Sequence, residues 1–114
     1  MFSQPPSGTL LANFEGARNA TTLLCNISGD GTNQIGTTWS IQNYRGSMGL
    51  VDITGGPEPF VVGGPPNPLA PQVSLSNELT ISNWTADLDG ATMFCGTGQD
   101  QQEANFLLRV YRKF

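Results

Sequence analysis

Apolar and polar residues alternate along most of this chain, and no stretch keeps the three-and-four spacing of an amphipathic helix. A period of two puts successive side chains on opposite faces of a strand. Thr21 to Ile27 reads as a strand with Leu23, Cys25 and Ile27 on one face. Thr37 to Gln42 reads as a second, with Thr37, Trp39 and Ile41 aligned. Gly46 to Ile53 is a third and weaker one. Glu78 to Ser82 turns Leu79 and Ile81 inward, and Ala91 to Thr97 turns Met93 and Cys95 inward. Ala104 to Tyr111 closes the series with Phe106, Leu108 and Val110 on one face, and Gly8 to Ala12 is expected to pair at an edge. Gly55 to Pro71 breaks the pattern with six of the eight prolines and four glycines. Proline cannot donate to a sheet ladder, so this stretch reads as edge or loop, with Phe60-Val61-Val62 a short edge strand. The chain reads as one all-β domain, with neither a second domain nor an internal repeat.

Composition agrees with that picture. The 114 residues suffice for one core, and 14 Gly and 8 Pro punctuate the apolar runs as many turns between short strands require. A net charge of −4 argues against nucleic acid and against an anionic membrane surface. No apolar run approaches the roughly 20 residues of a membrane span. Met1-Phe2-Ser3-Gln4-Pro5-Pro6 has neither the charged start nor the apolar stretch of a secretory signal, and the chain reads as a domain excised from a larger protein. Three Asn-x-Ser/Thr sequons, at Asn19, Asn26 and Asn83, accompany two cysteines. Together they point to the secretory pathway, where glycans are added and disulfides persist.

Cys25, Trp39 and Cys95 are 39 − 25 = 14 and 95 − 25 = 70 residues from the first cysteine. Leu79-Thr80-Ile81 and Asp89-Gly90-Ala91-Thr92-Met93-Phe94-Cys95 complete the set. These motifs resemble the pins of the immunoglobulin superfamily, V-set, over about residues 8–112 of the single domain 1–114. The resemblance implies a two-sheet Greek-key sandwich of V type, with room for the extra strands C′ and C″. It implies a disulfide from Cys25 to Cys95 across a core of Trp39, Leu79, Ile81 and Met93. The parity of both cysteines with Leu23, Ile27 and Met93 agrees.

The chain departs from the family in two places. Met93 stands where a tyrosine is usual, and Asn105-Phe106-Leu107-Leu108 stands where antigen receptors carry Phe-Gly-x-Gly. A non-rearranging cell-surface receptor or adhesion molecule fits better than an antigen receptor. Asp89 keeps the family's carboxylate, and Arg45 is its candidate cation, though distant in sequence.

The chain offers little for catalysis. It has no histidine, which removes the commonest general base and metal ligand. Asp87 and Asp89 are too few for calcium, which takes six or more oxygens. The expectation is no enzyme, no cofactor and no metal.

The V-set resemblance and strand parity together place the recognition surface. Gln42, Leu50, Phe94 and Leu107 are expected on the outer face of sheet GFCC′. Gln42 matches a family position that bonds across paired V domains. A protein ligand or receptor ectodomain is the expected partner, a homodimer being one form of it, with no nucleic acid and no direct membrane insertion. The alternative is a soluble immune-type or lectin-like V domain that binds through end loops, with Gln99, Asp100 and Gln101 in contact. A structural spacer is the third reading. Either of the first two is extracellular, at the cell surface or secreted.

Overall fold

The computed structural model describes residues 7–18, 21–25, 37–67, 70–97 and 104–112. Ten strands are present among them: β1 Thr9–Phe14, β2 Thr21–Leu24, β3 Thr37–Gln42, β4 Val51–Asp52, β5 Phe60–Gly63, β6 Pro66–Asn67, β7 Ala70–Ser74, β8 Glu78–Ile81, β9 Thr92–Thr97 and β10 Ala104–Tyr111. A single 3-10 turn, Ala86–Leu88, precedes β9. One sheet has the order β1-β10-β9-β3-β4 and the other β2-β8-β5, while β6 and β7 form a separate hairpin. β1 runs parallel to β10, and the remaining pairs are antiparallel. The architecture is an all-β sandwich consistent with an immunoglobulin-like fold.

Alternation builds the core. In β3 and β10 every second residue is buried, so Trp39, Ile41, Phe106 and Leu108 meet Leu79 and Ile81 of the facing sheet. Trp39, Leu79, Ile81 and Met93 are fully buried. Cys25, at the end of β2, is disulfide-bonded to Cys95 of β9, so the bond joins the two sheets. Trp39 lies directly across the ladder from Cys95. Its indole Nε1 donates to the Ser76 carbonyl at 2.6 Å. The Cys25 and Thr37 amides donate to the carbonyls of Asn77 and Leu75. The corner at 75–77 is therefore tied to both sheets. Trp84 and Leu88, between β8 and β9, are buried in the same core.

Three expectations need correction. Gly46 to Ile53 is not a continuous strand: only Val51–Asp52 pairs with β3. Asn43, Arg45 and Gly46 all have positive φ, which bends the chain into a tight turn closed by Tyr44 and Ser47. Secondly, no strand corresponding to C″ occurs among the described residues, because 53–59 turns directly toward β5 in the opposite sheet. Thirdly, the stretch Gly55 to Pro71 holds more strand than its prolines suggested. Phe60–Gly63 is the expected edge strand, but Pro66–Asn67 also pairs with Ala70–Ser74. That hairpin belongs to neither main sheet, so its prolines interrupt neither main ladder. Gly64 allows its close approach, since a Cβ there would collide with Asn77.

Tyr44 gives an early test of core polarity. Its ring meets Phe60 edge-on at 5.7 Å between centroids, and its hydroxyl is buried without a hydrogen-bond partner. Burial raises its pKa above the ordinary 10.0; Arg45 opposes that and Asp87 adds to it. The folded state thus holds the phenol proton more tightly than the unfolded chain. The associated stability is complete below pH 10 and is lost as pH rises through the folded value. Tyr44→Phe is expected to leave stability at pH 7 unchanged, or higher by up to about 1 kcal/mol, because it removes an unsatisfied buried hydroxyl. It is also expected to flatten the alkaline arm of a stability–pH curve. A neutral-pH loss above about 1 kcal/mol would contradict this account.

Candidate functional site

The outer face of the five-stranded sheet collects most of the exposed apolar residues. Ladder register sets the arrangement. Leu10 pairs with Leu107, Leu107 with Thr92, and Thr92 with Gln42. Partners across a ladder project from the same side. Leu50 falls on the side of Asp52, which pairs with Ser40, and so joins the far end of this row. A second row runs through Asp52, Ser40, Phe94 and Asn105. A third cluster sits lower on β1 and β10, where Phe14 and Tyr111 pair with ring centroids 6.4 Å apart. The Arg109 guanidinium lies 6.0 Å from the Tyr111 ring.

Exposure values separate the two outer faces. Leu10, Phe14, Leu50, Leu107 and Tyr111 are 43–57% exposed, and all five lie on this face. Phe94 is half-buried beside them. On the opposite sheet the outward positions include Thr22, Thr80 and Glu78, and the Thr22 and Thr80 hydroxyls hydrogen-bond to each other at 2.8 Å. Val61 is the large apolar residue exposed on that sheet's outer face among the described residues.

Each expected site residue takes a distinct part in this surface. Leu50 and Leu107 are open. Phe60–Gly63 of the Pro-rich stretch lies in the other sheet. Gln42 donates from Nε2 to the Met48 carbonyl at 3.1 Å, so part of its amide is spent on its own turn. Met48 itself is 81% exposed at the margin. Leu10, Phe14 and Tyr111 were not among the expected contact residues. The alternation Leu10, Ala12, Phe14 was the available signal, and it runs two residues past the expected strand end.

The charged residues form local pairs. Arg45 reaches Asp87 at 3.2 Å, which corrects the expectation that Asp89 is its partner. Asp89 instead faces Arg109 at 3.4 Å and accepts the Val110 amide through Oδ1. The positive-φ turn swings Arg45 toward the 3-10 segment that carries Asp87, while β10 passes Asp89. Both ion pairs are largely exposed and add little to stability. Asp87 and Asp89 thus serve separate cations, and no cluster of three or more His, Cys, Asp or Glu is placed to hold a metal among the described residues.

Gln99, Asp100 and Gln101 of the alternative loop site lie outside the described residues, as do Asn19 and Asn26. Asn83 lies between β8 and the 3-10 turn. The inter-sheet disulfide is compatible with an extracellular or secreted domain. Among the described residues no helix is long and apolar enough to cross a membrane. No protein-family model matches this chain, and a comparison with curated proteins found no match.

Proposed function

We propose that this chain is an immunoglobulin-superfamily domain of V type, acting extracellularly as a recognition or adhesion module. Its contact surface is the outer face of the five-stranded sheet, and its partner is a protein. The observation that carries the reading is the concentration of Leu10, Phe14, Leu50, Leu107 and Tyr111 on that face, against Val61 as the exposed large apolar residue on the opposite outer face among the described residues. Exposed apolar side chains gathered on one face mark a surface that a partner can cover. Aromatic residues within such a patch are frequent anchors of binding energy.

The family reading draws on three further features. The order β10-β9-β3 with β4 added corresponds to strands G, F, C and C′. A disulfide joins this sheet to β2, and Trp39 stands opposite one of its cysteines. Met93, the stretch Asn105-Phe106-Leu107-Leu108 and, among the described residues, the lack of a strand C″ are the departures. Met93 is buried, and Leu107 adds apolar area to the outer face.

The test takes a second copy of the chain as partner and measures molecular mass against concentration. Leu107→Arg and Leu50→Arg place a charge on the face, and Val61→Arg does the same on the other sheet. The wild type and Val61→Arg are expected to approach doubled mass with rising concentration, through a contact of about 1,000 Å² or more. The two face variants are expected to remain single, weakened at least tenfold. If the face variants associate as the wild type does, the surface is wrongly placed. A wild type that stays monomeric throughout removes homophilic binding.

A further inference from the structure

A second feature lies at the end of the sandwich away from Thr37 and Thr97. A cleft of about 300 Å³ is lined by Arg18, Arg45, Glu58, Pro59, Ser82, Asn83 and Thr85. It is built by backbone ties that bring three chain segments together, and Arg45 reaches in from a fourth. Gly16 donates to the Trp84 carbonyl, and Trp84 donates to the Ala17 carbonyl, which sets Arg18 beside Asn83. The Ser82 amide and hydroxyl both donate to the Pro59 carbonyl, which sets Glu58 on the facing wall.

Asn83 heads the sequon Asn83-Trp84-Thr85 and is itself half-buried in this wall. Its Oδ1 is buried without a hydrogen-bond partner. The side chain itself lines the cleft. Trp84 is fully buried, so the backbone that carries Asn83 is held in place.

We propose that Asn83 carries an N-linked glycan and that the cleft seats its first N-acetylhexosamine. In the attachment, the side-chain nitrogen bonds to C1 of an oligosaccharide activated as a polyprenyl diphosphate. The nitrogen loses one proton, and the C1–oxygen bond breaks with its electron pair leaving on the diphosphate. The attached ring then meets an unused donor and an unused acceptor. Neither Arg18 nor Glu58 makes an ion pair among the described residues, whereas Arg45 is held by Asp87. A hydroxylated ring accepts from a guanidinium and donates to a carboxylate, so it satisfies both walls at once. The volume is at the lower end of small-molecule sites, about 300–1,000 Å³, which suits one sugar with the rest of the glycan outside. The inference requires passage through the secretory pathway but no particular partner on the five-stranded face, so the two stand or fall separately.

The test uses the full chain secreted from a glycosylating host. Intact mass, with Asn83→Gln for comparison, reads occupancy, and Asn83→Gln is expected to lose one glycan. Endoglycosidase trimming to a single sugar then separates the first residue from the rest. The trimmed protein is expected to melt with the fully glycosylated one, and Asn83→Gln roughly 4 °C or more below it. Arg18→Ala with Glu58→Ala is expected to close that gap without changing occupancy. An unoccupied Asn83 overturns the proposal. So does an occupied Asn83 whose single-sugar form melts with Asn83→Gln, or a gap that survives loss of Arg18 and Glu58.

Discussion

Replacing Cys25 and Cys95 together by alanine is expected to cost roughly 4 kcal/mol, one of the two largest effects expected. The reason lies mainly in the unfolded chain. The bond spans 70 residues of sequence, and closing so long a loop removes many conformations from the unfolded ensemble. A typical domain has about 5–15 kcal/mol in hand, so the variant retains only a fraction of its stability. On melting, the loss corresponds to a fall on the order of 20 °C. Denaturant unfolding also separates mechanism from magnitude. If the bond acts on the unfolded state, the uncrosslinked chain exposes more surface when it unfolds, and the m-value rises. A drop in stability at constant m would place the effect in the native core instead, where both cysteines are buried. A cost below about 1 kcal/mol would contradict the entropic account altogether.

The parts of this fold that the sequence reveals are those where one face of a strand is buried and the other wet. Thr37–Gln42 and Ala104–Tyr111 have the bounds that alternation assigns them, because each alternate side chain reaches the core. Signals failed where backbone conformation overrides side-chain pattern. Gly46 to Ile53 reads as a strand by composition, yet Asn43 and Arg45 take positive φ, which few non-glycine residues do. Pro66–Asn67 pairs despite its proline, because that hairpin stands apart from both main sheets. Trp84 is a core residue within a segment that has no strand pattern, since it plugs the sandwich from a loop.

The outward side chains of the five-stranded sheet were legible to the same degree and for the same reason. Once Trp39 and Cys95 face inward, parity alone sends Ser40, Gln42 and Phe94 outward. What parity on a single strand cannot supply is neighbourhood. Leu10 joins Leu107 only because β1 runs parallel to β10, and that long-range pairing has no local mark. Hence the face extends further across β1 than residue spacing indicated.

Trp39→Ala is the second large effect, expected at about 3–5 kcal/mol. The indole is fully buried and sits opposite Cys95, so its removal leaves a cavity beside the disulfide. It also deprives the Ser76 carbonyl of its 2.6 Å donor. That carbonyl lies in the corner whose neighbours Leu75 and Asn77 accept from Thr37 and Cys25, so the indole and two amides hold one corner to both sheets. Trp39→Phe divides the two contributions, since it keeps an aromatic ring and loses the hydrogen bond. It is expected to cost clearly less than alanine, with about 1 kcal/mol of its loss due to the bond. Because Trp39 and the disulfide are neighbours, losses from Trp39→Phe and from the cysteine double variant are expected to be non-additive, by about 0.5–3 kcal/mol. Chemical denaturation of the three variants completes the cycle. Equal losses for Phe and Ala would make the hydrogen bond, rather than packing, the main role of Trp39. Additive losses would mean that the disulfide and indole stabilise the sandwich independently. Trp39→Phe is also expected to keep the concentration-dependent mass of the wild type, because Leu107 is placed by the ladder between β10 and β9, which does not depend on the indole. A phenylalanine variant that folds yet no longer associates would place the proposed recognition surface under the control of the core.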